Sequence, residues 1–122
     1  ATEYDCQGLE LDQVGLAWGG DMLRGAGEWR MRTLSGARWN TIRHETERAV
    51  ILNTYRVLLT RARYETVIWI PPGSPAGDPW HDPTRPAAEM DALAAYLLAC
   101  GARALEPAPA AALAAAPAAT LL

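Results

Sequence analysis

Two short apolar runs, VGLAW at Val14–Trp18 and TVIWI at Thr66–Ile70, bracket a long helical period. Each run is nearly continuous rather than alternating, the pattern of a strand covered on both faces. Gly19, Gly20 and Asp21 stop the first run, and Pro71, Pro72 and Gly73 stop the second. Between them, from about Thr41 to Ala62, the residues Ile51, Tyr55, Leu58 and Ala62 stand at i, i+4, i+7 and i+11 and form one apolar stripe. Asn53, Arg56, Thr60 and Arg63 lie opposite. A buried strand, a helix and a second buried strand predict an α/β sandwich with a parallel core.

The segment GEWRMRTLSG at residues 27–36 sets Trp29, Met31 and Leu34 loosely against Arg30, Arg32 and Thr33. That pattern predicts a solvent-edged hairpin or excursion. A Pro/Gly/Asp loop from Pro72 to about Pro83 leads to a last helix, RPAAEMDALAAYLLACG, with Asp82 or Thr84 as its cap and Gly101 as its stop. Pro107–Leu122 holds nine alanines, three prolines and no charge, and reads as a disordered or weakly helical tail on a folded unit of residues 1–106. Two core strands are too few to stand alone. The chain also opens on Ala1, so it is expected to be a fragment whose other strands come from upstream or from a partner.

At 122 residues, half of them hydrophobic, the chain is one domain or a piece of one, and no stretch is long and apolar enough to span a membrane. No signal peptide opens it, and Cys6 and Cys100 match no metal spacing. A cytoplasmic protein with reduced thiols is expected. His44 and His81 are isolated, so no metal site is expected. The net charge of -3 argues against a generally basic nucleic-acid coat. Every basic residue is nevertheless an arginine, and nine of the 11 lie between Arg24 and Arg63 with only Glu28, Glu45 and Glu47 against them. A local excess of that kind suits a phosphate backbone even when the total is acidic. Arg30, Arg32 and Arg38 offer either a nucleic-acid track or the charged blunting of an edge strand. Trp18, Trp69, Trp80 and Tyr96 are expected to be packing anchors.

TEYDCQGLELD, at Thr2–Asp12, resembles motif V of superfamily 1 helicases, and YRVLLTRAR, at Tyr55–Arg63, resembles their motif VI, whose core is Thr-Arg-Ala. The two stand in the order that superfamily has them. The longer string LNTYRVLLTRARYETVIWIPPG…DPTRP…YLLACG is more similar still to bacterial ATPases whose helicase-like domain is related to that of Schlafen proteins. The resemblance runs over residues 2–105 and implies part of the second RecA-like (P-loop NTPase-type) domain.

It also implies roles. Arg61 would be an arginine finger, a planar cation for the charge that gathers on a transferring phosphoryl group. From the residues alone, an arginine capping its own helix's last carbonyls is the competing reading. Glu10 would accept a hydrogen bond from a nucleotide's ribose, and Gly8 would let backbone approach the phosphates. First-turn residues of a helix would explain both as well. Thr2 and Tyr4 match positions that touch the nucleic-acid strand, through a hydroxyl on phosphate and an aromatic against a base. The family commonly has histidine at Tyr4 and lysine at Gln7, which weakens that contact. The implied cofactor is ATP with Mg²⁺, and the implied partners are DNA or RNA and the remaining RecA-like domain. No G-x-x-x-x-G-K-[ST] loop occurs and the chain has no lysine, so these residues alone are expected not to hydrolyse ATP. Two rivals stand beside this reading: a nucleic-acid-binding or assembly module without catalysis, and self-association through an open sheet edge.

Overall fold

The structure is a computed structural model that describes Thr2, Tyr4, Asp5 and residues 8–106. The tail expected over 107–122 and Cys6 lie outside the described residues. Among the described residues, five strands and two helices follow in the order β1 (Leu11–Ala17), β2 (Met22–Arg24), β3 (Trp29–Ser35), β4 (Arg38–Thr41), α1 (Glu45–Leu59), β5 (Ala62–Trp69) and α2 (Ala87–Ala99). The architecture is mixed α/β. β1 and β5 form a parallel pair, while β2, β3 and β4 form a separate antiparallel sheet.

The parallel pair is the β–α–β unit that the two apolar runs predict, with α1 as the crossover. Its ladder runs from Gln13 opposite Glu65 to Ala17 opposite Trp69, and the Trp18 amide continues it onto the Trp69 carbonyl at 2.9 Å. Leu16 and Trp18 point inward with Ile68 and Ile70 and meet Ile51, Tyr55 and Leu58 of α1, so the predicted helical stripe is the core face. The expectation of two covered faces is corrected. α1 covers one face, and on the other Val67 and Trp69 remain 38% and 57% exposed. α1 is also shorter than its apolar period. Thr60 closes it, and Ala62 already belongs to β5.

The excursion is a three-stranded meander rather than a hairpin, with Met22 opposite Met31 and Leu34 opposite Trp39. Met22, Leu23 and Met31 are buried, and α2 packs on β2 with Leu93 fully enclosed. Trp18 joins the two sheets: its ring lies 4.4 Å from that of Tyr55 and 6.4 Å from that of Trp29, and its indole N–H donates to the Met22 carbonyl at 2.6 Å. Trp29 meets Tyr96 of α2 edge-on at 5.0 Å, with the Arg24 guanidinium over both rings. Trp18 and Tyr96 are therefore packing anchors as expected, but Trp69 and Trp80, at 57% and 88% exposure, are not. α2 begins after Pro86 with no side-chain cap. Asp82, one of its two expected caps, instead accepts from Thr84 and Arg85 within the preceding turn, while the Thr84 carbonyl accepts from Arg32.

Candidate nucleotide-facing edge

The amino ends of β1 and β5 lie side by side, and this brings the motif V-like and motif VI-like segments together. The Leu11 amide donates to the Arg61 carbonyl at 3.0 Å, which locks the residue after Glu10 to the centre of Thr60-Arg61-Ala62. One step further, Leu11 faces Ala62 across the ladder. Glu10 projects into solvent beside Arg63, with Nε 3.6 Å from its carboxylate and the two side chains 74% and 58% exposed. Gly8 sits in a turn at φ 76°, which an L side chain rarely adopts. A Cβ there would meet nothing within 4 Å, so the glycine is required by backbone conformation and not by crowding.

Arg61 follows the helix's closing residue. Thr60 turns its amide and hydroxyl onto the Arg56 and Val57 carbonyls, and the hydroxyl reaches Arg56 at 2.7 Å. Arg61 then folds back, its Nε donating to the Val57 carbonyl at 3.0 Å and its Nη2 to the Thr60 hydroxyl at 3.3 Å. In this geometry it caps its own helix, the competing reading from the residues alone. Among the described residues no carboxylate pairs with it, and its head is part-buried at the rim of the sheet.

Thr2 and Tyr4 belong to a turn before β1. The Thr2 amide and hydroxyl both donate to the Asp5 carboxylate at 2.9 Å. Those bonds, from the backbone first and then the hydroxyl, hold the Asp5 pKa below the usual carboxylate range. The Thr2 hydroxyl is thus already engaged, whereas Tyr4 is 74% exposed.

The arginine track does not form as a surface. Arg30 pairs with Glu89, and Arg32, 5% exposed, donates to the Gly20 carbonyl at 2.9 Å and the Thr84 carbonyl at 3.0 Å while lying over Trp39. Burial lowers the Arg32 pKa first, and neighbouring Arg30 lowers it further. Of the three, Arg38 alone stays exposed. Among the described residues no cluster of three or more His, Cys, Asp or Glu side chains suits a metal ion, and no helix is long and apolar enough to cross a membrane.

With this geometry in view, a comparison with protein families is decisive. The model of the Schlafen group 3 DNA/RNA helicase domain matches residues 1–72, more than half of the chain. The chain belongs to the Schlafen group 3 helicase-domain family. Neither a curated protein nor a solved structure matches it. The match to the Schlafen group 3 domain takes in both β1 and β5, hence Gly8, Glu10 and Arg61, and stops two residues beyond Ile70. α2 and the loop before it lie outside the matched stretch.

Sequence reasoning missed Arg63. The helical period puts it with Asn53 and Arg56 on the outer side of a helix, whereas it is the second residue of β5 and faces Glu10. A groove of about 590 Å³ runs along β5 between the matched segment and the residues after it, lined by Tyr64 and Trp69 on one side and Leu97, Leu98 and Leu105 on the other, among others. It contains none of Gly8, Glu10 and Arg61, so the candidate edge is a rim rather than a cavity.

Proposed function

We propose that this chain is the part of an ATP-dependent DNA/RNA helicase or translocase-like ATPase that supplies Arg61 as an arginine finger and Glu10 and Gly8 as nucleotide contacts. The phosphate-binding loop would come from a P-loop module outside the 122 residues. One observation carries the reading: parallel pairing of β1 with β5 places Glu10 and Arg61 on the same rim, joined through the Leu11 amide and the Arg61 carbonyl at 3.0 Å. The exposed Glu10 carboxylate and the Arg61 cation fit a ribose hydroxyl and phosphate oxygens respectively. ATP with Mg²⁺, when bound, supplies the phosphoryl group. The exposed Tyr4 ring is available to stack on a base. A cytoplasmic location is proposed on the same footing.

In its capping conformation Arg61 forms two hydrogen bonds that must break before it reaches across a cleft. Exchange with water makes that release cost on the order of 1–2 kcal/mol. A finger that accelerates phosphoryl transfer roughly 10³-fold contributes about 4 kcal/mol, so engagement prevails. Arg61→Ala in the polypeptide that includes the phosphate-binding loop should lower kcat about 10³-fold with nucleotide affinity nearly unchanged. Equal losses in both would refute a transition-state role.

The second reading, an assembly module without catalysis, draws on the groove beside β5 and on Trp69 standing 57% exposed. An intact protein that binds nucleic acid but never turns over ATP would favour it.

A further inference from the structure

Between Leu11 and Gln13 the parallel ladder slips. One residue, Asp12, separates the two on β1, while Arg63 and Tyr64 fill the matching interval on β5 between Ala62 and Glu65. An extra residue of this kind breaks the in–out alternation and re-aims a side chain, and such irregularities cluster beside active sites. Here Arg63, Tyr64 and Glu65 are exposed in succession, and Arg63 swings to the Glu10 carboxylate at 3.6 Å. The backbone around the pair is fixed by the Leu11–Arg61 bond and the Leu11–Ala62 register.

We infer that Arg63 is a positioning residue for Glu10, holding its carboxylate toward the ribose and so setting preference for ribonucleotides over deoxyribonucleotides. The inference rests on the reading of Glu10 as the ribose contact. Arg63 touches Glu10, not the reacting phosphate, so its removal acts on affinity and selectivity and not on kcat. The pair is largely exposed, and exposed pairs are weak, so the expected effect is about two- to five-fold.

The test measures equilibrium binding of ATP and of dATP, and kcat for each, by the polypeptide that includes the phosphate-binding loop, comparing Glu10→Gln, Arg63→Met, Arg63→Lys and the double variant Glu10→Gln/Arg63→Met. Glu10→Gln should reduce the ATP:dATP preference. Arg63→Met should reduce it about two- to five-fold, Arg63→Lys should restore part of it, and the double variant should lose no more than Glu10→Gln alone. Arg63→Met and Arg63→Lys should leave kcat near its starting value. If Glu10→Gln lowers the preference and Arg63→Met does not, the positioning role is overturned while the ribose reading stands. If Glu10→Gln leaves the preference unchanged, the ribose reading fails and the inference fails with it.

Discussion

The Arg61 guanidinium lies on the Val57 carbonyl at 3.0 Å, held by the helix it follows rather than extended from it. A capping arginine and a finger arginine make different demands on the fold. The cap carbonyls are near the surface and water can replace the guanidinium, so Arg61→Ala should lower unfolding free energy by no more than about 2 kcal/mol. Urea titration of the 122-residue chain measures that directly. A loss several times larger would make Arg61 a structural strut, and the turnover assay above could no longer be read as catalysis.

Tyr55 is buried and donates its hydroxyl to Asp21 at 2.6 Å while accepting from the Gly19 amide at 3.2 Å. Tyr55→Phe leaves both partners short and should cost about 1–2 kcal/mol by urea denaturation. Burial first, and the Asp21 carboxylate after it, raise the Tyr55 pKa well above the ordinary 10.0. Folding therefore favours the neutral phenol: the contribution is complete below pH 10 and is lost as the pH rises beyond it. Tyr55→Phe should flatten the alkaline limb of the stability curve, and an unchanged limb would contradict this.

Asp82 behaves in the opposite sense. Bonds from the Thr84 hydroxyl and amide, and then from Arg85, depress its pKa from 3.8 to about 2. Its contribution is present above pH 3.8 and falls away as the pH drops toward 2. Asp82→Asn should lower stability at neutral pH and narrow the gap from wild type in acid. A gap constant between pH 6 and pH 2 would show that the turn does not need the charge.

Arg32 joins three segments through its fork: the Gly20 carbonyl, the Thr84 carbonyl and the face of Trp39. A lysine keeps the charge but has neither the planar stack nor two fixed donors. Arg32→Lys should cost about 2 kcal/mol, read as a lower urea midpoint at unchanged slope. A neutral result would mean that the three segments hold together without it.

What the sequence made legible were features local to a run of residues. Two apolar stretches around one helical period specify β1, α1 and β5, and the order of QGLE and TRA fixes which segments meet at the rim. The fate of the arginines was not legible. Arg32 resembles Arg38 in composition, and only the convergence of Gly20, Thr84 and Trp39 from separate parts of the chain buries one and leaves the other in solvent. The same limit explains Trp69, whose apolar run implied two covers although only α1 supplies one. For Arg63 the helical period simply continued past Thr60. The signal for its end was the β-branched threonine itself, which turns its hydroxyl onto the last carbonyls.

The uneven count of residues opposite Asp12 constrains length as well as identity. Ala62 is tied at one end to the helix, and Glu65 at the other opens five successive partners ending at Trp69. Shorten that span by one and the molecule faces a forced choice. Either the strand turns over, exchanging Ile68 and Ile70 for Val67 and Trp69 against the core, or the last turn of α1 is dragged off its seat. Insertions and deletions at Arg63 or Tyr64 should thus be far more damaging than substitutions there.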